Sequence, residues 1–302
     1  MLNSVETYLA LRRAAGFAMA NAEYLLKSFA GFAVGRGEIY VRTQTAIDWA
    51  ALGPSVEQRD ARLKAVCRFV RTMRIEHPEH EEPPANYFGA RKKRHPPHIY
   101  SVRDLDCLIA AALRLHPKES LRPQTYATLI ALLAVTGLRI SEALNLNLAD
   151  ITPDGLLIRK TKFRKTRLVP LHETTAAGLV RYLQQRRPRS SDDPVFIDRH
   201  GRRLRYQTVK DTFDTLISRA GIRAAQGCRQ PRLHDLRHTF AVRALQASPP
   251  GRADIGRHMV ALATYLGHVN IYSTYWYLEA TADLMRDVAA AGEAFLLGGS
   301  PS

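Results

Sequence analysis

Apolar side chains recur at helical spacing over most of the first 75 residues of the chain, which predicts a group of α-helices. Asn3 and Glu6 have the spacing of a capping box, so a first helix is expected to begin with Asn3 as its N-cap. A second helix is expected to end near Gly35. Ser55 and Gln58 repeat the capping pattern and predict the start of a third helix.

The third predicted helix has one apolar and one cationic face. Its apolar stripe consists of Val56, Leu63, Val66, Val70 and Met73. The other face carries Arg59, Arg62, Arg68, Arg71 and Arg74. A charged helix face is often only solvated. Because nearly all the charges on this face are positive, contact with phosphate groups is the favoured interpretation, with Arg59 and Arg62 as candidates.

A stretch without periodicity separates these helices from the rest of the chain. It is rich in proline, and it contains a run of four cations: Arg91, Lys92, Lys93 and Arg94. This composition is typical of an inter-domain linker, and the cations are candidate phosphate contacts. The sequence therefore predicts a helical domain with candidate phosphate contacts over residues 1–80, a basic linker over 81–99 and a second domain over 100–302.

The second predicted domain mixes helices with short strands. Helical patterns cover 102–115, 124–135, 140–146, 206–219, 235–246 and 258–266, and another starts at about 273. Ser101 and Asp104 have the spacing of a capping box for the first of these helices. Strand patterns cover 155–158, 167–171 and 194–197. The first two strands flank a basic turn and indicate a hairpin, so we expect a mainly α fold with a small antiparallel sheet.

Composition narrows the class of partner. The formal net charge is +16 over 302 residues, which indicates a polyanion, either nucleic acid or an anionic membrane. No apolar run approaches the ~20 residues of a membrane span, and the N-terminus lacks the pattern of a signal peptide. The cysteines, Cys67, Cys107 and Cys228, are far apart, so we expect a cytoplasmic protein with no disulfide framework and no zinc site.

Two local patterns place arginine and lysine where phosphate could bind. Arg139 follows Gly137 at a predicted helix junction, and its planar guanidinium suits phosphate oxygens. Glu142 lies one turn later, so a simple helix salt bridge with Arg139 is the alternative. The turn of the predicted hairpin carries Arg159, Lys160, Lys162, Arg164, Lys165 and Arg167. Like charges crowded into one turn repel each other unless a polyanion neutralises them. The pattern therefore predicts that the tip of the hairpin lies in a DNA groove.

Two further patterns add groups for proton transfer and nucleophilic attack. His234 and Arg237 share one helix face, although in isolation the pair could be two surface residues. His268 follows Gly267, a predicted helix terminator, and Tyr277 comes nine positions later on the next predicted helix. The turn between these helices would let His268 and Tyr277 converge. Three other tyrosines lie nearby and could be packing residues: Tyr265, Tyr272 and Tyr275.

The order of these groups over about 100–285 resembles the tyrosine recombinases, the phage-integrase-like enzymes. The resemblance implies a helical core-binding domain, a catalytic domain and a site built from Arg139, Lys162, His234, Arg237, His268 and Tyr277. Two departures stand out. Thr161 and Phe163 flank Lys162 where the family often has glycine, so Lys160 and Lys165 compete for its role. The stretch around 248–251 is interpreted as an insertion.

The resemblance also implies the chemistry. Tyr277 would attack a phosphodiester and form a 3′-phosphotyrosine bond, with no metal ion, cofactor or ATP. Arg139 and Arg237 would bind the developing negative charge. His234 is the candidate base, and Lys162 the candidate acid for the leaving 5′ oxygen. His268 would hydrogen-bond a non-bridging oxygen.

Partners and alternatives follow from the same resemblance. Double-stranded DNA is the expected substrate, Arg164 and Lys165 are expected to contact it, and the protein is expected at the nucleoid. A homotetramer on two paired sites is expected, with a related recombinase as a further candidate partner, in the integration or transposition of a mobile element. The apolar segment 295–297 near the C-terminus could dock on a neighbouring protomer or on its own domain. A type IB topoisomerase and a non-catalytic DNA-binding regulator are the alternatives.

Overall fold

The structure is a computed structural model that describes residues 1–90, 96–159, 166–186, 190–224, 229–247 and 252–267. The chain divides into two compact units, Met1–Arg94 and His95–Ser302. Each unit has its own hydrophobic core. Helices dominate both units, and the described strands form one small antiparallel sheet, so the predicted fold class is confirmed.

The described part of the first unit contains four helices. They are α1 (Leu2–Ala14), α2 (Ala20–Val34), α3 (Thr43–Ala51) and α4 (Val56–Met73). The predicted N-cap at Ser55 is confirmed, because its hydroxyl accepts a hydrogen bond from the Gln58 amide. The predicted cap at Asn3 is wrong: α1 begins at Leu2, and no side chain caps it. The helical backbone at Asn3 turns its side chain away from the free amides of the first turn.

Helix α3 was not predicted, yet it supplies the centre of the first core. Trp49 is 2% exposed and packs edge-on against Phe29 of α2, with the ring centroids 5.4 Å apart. The stripe of α4 is buried as expected except at its first member, Val56, which is 44% exposed. Val56 lies in the first turn of α4, so the helix reaches the core only further along its length.

The chain after α4 folds back onto the first unit. His80 is 1% exposed, and its Nδ1 accepts a hydrogen bond of 3.0 Å from the backbone N–H of Val41. The thiol of Cys67 donates to the carbonyl of Pro83 at 3.3 Å. Glu81 accepts a hydrogen bond from the amide of Thr43 at 2.8 Å. The first residues of the predicted linker, 81–83, are therefore packed against the helices that precede them.

The second unit is built around α6. Its described elements are α5 (Val102–Leu113), α6 (Arg122–Thr136), α7 (Ile140–Asn145), the 3₁₀ helix η1 (Leu148–Asp150), β1 (Ile151–Thr152), β2 (Gly155–Ile158), β3 (Arg167–Val169), α8 (Glu173–Arg186), α9 (Tyr206–Arg219), α10 (Asp235–Gln246) and α11 (Arg252–Leu266). Helices α5, α8 and α10 all pack against α6. The predicted capping box of Ser101 and Asp104 is confirmed.

The sheet has the order β1-β2-β3, with both neighbouring pairs antiparallel. The predicted hairpin of β2 and β3 is confirmed, with Leu157 opposite Leu168. Gly155 is required at the start of β2, because its φ is +131° and a Cβ there would lie 2.3 Å from the carbonyl oxygen of Val169. The close approach of backbone to backbone fixes where the hairpin strands meet.

Three expectations for the second unit need correction or fall outside the described residues. The predicted strand over 194–197 makes only isolated bridges, because Val195 donates to Leu146 and its carbonyl accepts the Tyr182 hydroxyl instead of a ladder partner. Helix α8 was not predicted, and α11 begins earlier than the predicted 258. The helix predicted from about 273 lies outside the described residues. No described helix has the length and apolar character to cross a membrane.

Candidate active site

The site is organised by the junction between α6 and α7. Gly137 ends α6 with a φ of +60°, and a Cβ at this position would lie 2.4 Å from the ring of Phe240 in α10. A side chain with a Cβ would therefore be both strained and obstructed. The tight turn brings Arg139 to the N-terminus of α7, and it brings α10 and the end of α11 against the same turn.

Arg139 is held by a carboxylate and a carbonyl. Its backbone N–H donates to Oε2 of Glu142 at 2.9 Å, and its Nη1 donates to Oε1 at 2.8 Å. Its Nη2 donates to the carbonyl of Gly267 at 3.1 Å. The predicted salt bridge to Glu142 is thus present, and the Arg139 side chain is still 28% exposed. The guanidinium is fixed in direction and remains open to a ligand on one side.

Arg237 is bound to the same two chain segments. It is 2% exposed, and it donates from Nη1 to the carbonyl of Gly137 at 2.7 Å and from Nη2 to the carbonyl of Leu266 at 2.6 Å. Arg139 and Arg237 therefore both bind the end of α11, through adjacent residues. A buried guanidinium anchored in this way is a rigid positive charge next to the junction.

His234 lies at the N-terminus of α10, one turn before Arg237. The ring is exposed at the surface of the site and packs edge-on against His238, with centroids 4.8 Å apart. Partial desolvation lowers the pKa of His234 below the ordinary 6.5, and the cation of Arg237 lowers it further. The imidazole is therefore neutral at pH 7, the form that accepts a proton.

A third arginine completes the cluster. Arg167, the first residue of β3, donates from Nη1 to Oε1 of Glu142 at 3.0 Å and from Nη2 to Oε2 at 2.7 Å. Burial alone would raise the pKa of Glu142, but hydrogen bonds from Arg167 and the Arg139 amide lower it to about 2. From the sequence, Arg167 is only one cation of the basic turn. Its sole distinguishing signal was its place at the start of a strand rather than in the turn.

The structure brings together three of the six predicted active-site residues: Arg139, His234 and Arg237. The other three lie outside the described residues: Lys162, His268 and Tyr277. His268 follows directly on Gly267, whose carbonyl binds Arg139. Of the neighbouring tyrosines, Tyr265 stacks on Phe240 with centroids 5.5 Å apart, and burial raises its pKa, so Tyr265 is a packing residue.

Most of the predicted DNA contacts also lie outside the described residues: Arg91, Lys92, Lys93, Arg94, Arg164 and Lys165. Arg59 and Arg62 are described. Arg59 donates from Nε to the carbonyl of Gly53 at 2.7 Å. Arg62 donates to the carbonyl of Trp49 at 3.2 Å and lies over its ring. Both side chains fasten α4 to the end of α3, and both keep partial exposure.

Potential metal ligands are scattered in the described part of the chain. No group of three or more His, Cys, Asp or Glu side chains there has the geometry to hold a metal ion. At the site, the guanidinium groups of Arg139, Arg167 and Arg237 surround the α6–α7 junction and outnumber the carboxylate of Glu142. This arrangement is suited to binding an anion such as a phosphodiester.

Comparison with known proteins decides the family. The sequence model of the Phage integrase family matches residues 108–283. The chain belongs to this family. It is therefore a tyrosine recombinase, an enzyme that breaks and rejoins DNA strands. The matched range contains all three described site residues, so the cluster of arginines around Glu142 lies within it.

Individual relatives agree with this assignment. The chain is 38% identical to "Putative integrase/recombinase y4rB" of Sinorhizobium fredii, over 94% of each chain. It is 29% identical to the tyrosine recombinase XerD of Oceanobacillus iheyensis, over 66% of this chain and 63% of that protein.

Solved structures share the fold. XerH site-specific recombinase bound to its difH substrate superposes with a TM-score of 0.68 at 19% identity, over 96% of this chain and 84% of that one. The Tn1549 transposon integrase in complex with transposon end DNA superposes with a TM-score of 0.64 at 17% identity, over 96% and 99% of the two chains.

Proposed function

We propose that this tyrosine recombinase cleaves DNA by attack of Tyr277 on a phosphodiester, with Arg139, Arg237 and His234 around the scissile phosphate. The observation that carries the proposal is the convergence of these three side chains on one turn. Arg139 and Arg237 bind adjacent carbonyls at the end of α11, and His234 lies one turn before Arg237. His268 is the next residue in the chain after that anchored segment.

The two arginines supply the positive charge for the transition state. Attack on a phosphodiester builds negative charge on the non-bridging oxygens, and fixed cations stabilise this charge without reorganisation. Arg237 is held rigidly by two carbonyls, while Arg139 keeps an open side. Together they provide what a divalent cation provides in other nucleases. The proposed reaction accordingly includes no metal ion and no cofactor.

The proton and bond changes balance within the site. Tyr277 loses its phenolic proton to the neutral imidazole of His234, and its oxygen forms a bond to phosphorus. The bond from phosphorus to the 5′ oxygen breaks, and Lys162 gives that oxygen a proton. His268 hydrogen-bonds a non-bridging oxygen. The product is a 3′-phosphotyrosine and a free 5′ hydroxyl. Attack by the 5′ hydroxyl of a partner strand reverses the step without ATP, which completes strand exchange.

The experiment that tests the proposal is capture of the covalent intermediate. The substrates are DNA duplexes taken from the ends of the mobile element proposed below and nicked near the exchange site. They should trap the wild-type protein as a covalent adduct that is visible on a denaturing gel. The variant Tyr277→Phe should bind the same DNA and form no adduct, whereas the matched variant Tyr275→Phe should form it normally. An adduct that persists in Tyr277→Phe, or an adduct peptide that maps to Tyr275, contradicts the assignment.

The biological role that we propose is movement of a mobile element. The support is the similarity to two proteins of Sinorhizobium fredii named integrase/recombinase, at 38% and 36% identity, and to the fold of a transposon integrase. Recombination between two duplexes uses four active sites, so we propose a homotetramer on paired DNA sites. A related recombinase is a further candidate member of this tetramer. We propose that the tetramer acts at the nucleoid. A topoisomerase would act as a monomer on one strand, and it would relax supercoils without exchanging partners.

A further inference from the structure

We infer that Arg167 is a positioning residue for DNA cleavage: it neutralises Glu142, so that the carboxylate orients Arg139 without cancelling the positive charge that Arg139 offers to the phosphate. The inference rests on the proposed function, in which Arg139 binds the scissile phosphate. Arg167 lies in β3 and is 25 residues from Glu142 in the sequence, so the contact is made only by the fold.

The geometry around Glu142 uses all of its acceptor capacity. Oε1 accepts from Nη1 of Arg139 at 2.8 Å and from Nη1 of Arg167 at 3.0 Å. Oε2 accepts from the backbone N–H of Arg139 at 2.9 Å and from Nη2 of Arg167 at 2.7 Å. A carboxylate has about four acceptor sites, so each is occupied. Arg167 binds both oxygens with its planar fork and thereby sets the plane of the carboxylate.

The charges explain why two arginines share one carboxylate. Glu142 is ionised, with its pKa held at about 2, and 7% of its side chain is exposed. A pair of Arg139 and Glu142 alone would carry no net charge and would attract a phosphate weakly. With Arg167 the cluster carries one net positive charge. The Arg139 side chain is 28% exposed and the Arg167 side chain 13%, so Arg139 is the more accessible of the two to a ligand.

Arg167 also links three segments of the site. A Cβ at Gly267 would lie 3.1 Å from Nη1 of Arg167 and 3.6 Å from Nη1 of Arg139, so both guanidinium groups face the turn that precedes His268. Arg167 follows the basic turn that contains Lys162, five residues earlier in the sequence. A change at Arg167 therefore acts on Arg139 directly. It also acts on the segments that lead to the proposed catalytic residues His268 and Lys162.

The test compares the same substitution in two arginine–carboxylate pairs, one at the site and one away from it, in the full-length protein on DNA. Arg167→Lys keeps the charge but loses the planar fork. The matched control is Arg36→Lys in the first unit, where Arg36 pairs with Asp48 at 2.7 Å and is 43% exposed. Single-turnover cleavage of a nicked duplex, DNA affinity and melting temperature are measured for each. We expect cleavage to fall about 10- to 100-fold in Arg167→Lys, as for other groups that orient a catalytic side chain. DNA affinity and melting temperature should stay close to those of the wild type, and Arg36→Lys should cleave normally.

A substrate with an uncharged methylphosphonate at the scissile position separates positioning from general structure. This linkage needs less stabilisation of negative charge, so the cleavage defect of Arg167→Lys should shrink severalfold on it. A defect of equal size on both linkages, or one that follows a lowered melting temperature, overturns the inference. The variant Arg139→Lys tests the proposed function separately. If Arg139→Lys cleaves normally, the proposed function fails. If Arg139→Lys loses cleavage while Arg167→Lys retains it, only the inference about Arg167 fails.

Discussion

At the scale of single residues, the active site is defined by how each cation is restrained. Among the described contacts, Arg237 binds two carbonyls, Arg139 binds one carbonyl and a carboxylate, and Arg167 binds the same carboxylate. Arg59 and Arg62 show a different use of arginine, because both bind carbonyls at the end of α3. Their predicted contact with DNA stays a prediction, since their exposed parts could reach phosphate while their inner parts stabilise the helix junction.

The pH dependence of cleavage follows from the surroundings of His234. Partial desolvation and the cation of Arg237 lower its pKa below 6.5. A base acts in its unprotonated form, so the cleavage rate should be constant near pH 7 and fall only as the pH drops through this lowered pKa. Single-turnover rates from pH 4.5 to 8 measure the midpoint. A midpoint at or above 6.5 contradicts the prediction, and His234→Gln should remove the acid limb altogether.

The identity of the acid is the least constrained assignment at this scale. If Lys162 protonates the leaving oxygen, its loss should be rescued by a substrate whose 5′ oxygen is replaced by sulfur, because a thiolate leaves without a proton. Cleavage of the sulfur substrate by Lys162→Ala should approach the wild-type rate, while the oxygen substrate is cleaved slowly. Lys160→Ala and Lys165→Ala are the matched controls. Rescue confined to Lys165→Ala would transfer the role to that residue.

At the scale of elements, the sequence predicted most of the described helices and missed α3 and α8. Helix α8 has only two buried residues, Leu179 and Tyr182, so few of its side chains point to a core, and its packing on α6 decides its structure. Arg139, His234 and Arg237 could be named because they lie in short local motifs. The role of Arg167 could not, because it depends on a contact between β3 and α7 that no local spacing encodes.

The α6–α7 junction predicts a stability effect that can be measured. Gly137→Ala places a Cβ at a φ of +60° and 2.4 Å from the Phe240 ring. Backbone strain of roughly 1–2 kcal/mol and overpacking of roughly 1–3 kcal/mol should lower the free energy of unfolding by about 2–5 kcal/mol. Gly178→Ala in α8 is the matched control, since no atom lies within 4 Å of its added Cβ. The control should gain about 0.4–1 kcal/mol. Equal effects of the two changes in urea unfolding would refute the argument.

At the scale of the whole molecule, the excess of positive charge should appear in the salt dependence of DNA binding. If the linker cations Lys92 and Lys93 contact phosphates, their change to glutamine should reduce the slope of log affinity against log salt by up to ~0.9 per lost contact. The control is the double variant Arg13→Gln with Lys27→Gln, which removes the same amount of positive charge. Both of these cations pair with Glu23, so we do not expect them to contact phosphate. If both double variants change the slope equally, net charge rather than linker contact governs binding.

Assembly on DNA is the remaining question at this scale. Residues 295–297 are Phe-Leu-Leu near the end of the chain, and an apolar segment of this kind should find a protein surface to cover it. We predict a monomer in solution and a closed ring of four on paired sites, held partly by this segment docking on a neighbour. Truncation after Gly292 should then leave binding of single protomers intact and weaken synapsis, as measured by native gel shift with two sites. Truncation after Leu297 removes only the last five residues and should leave synapsis normal. If the protein truncated after Gly292 recombines at the wild-type rate, the segment packs on its own protomer and has no part in assembly.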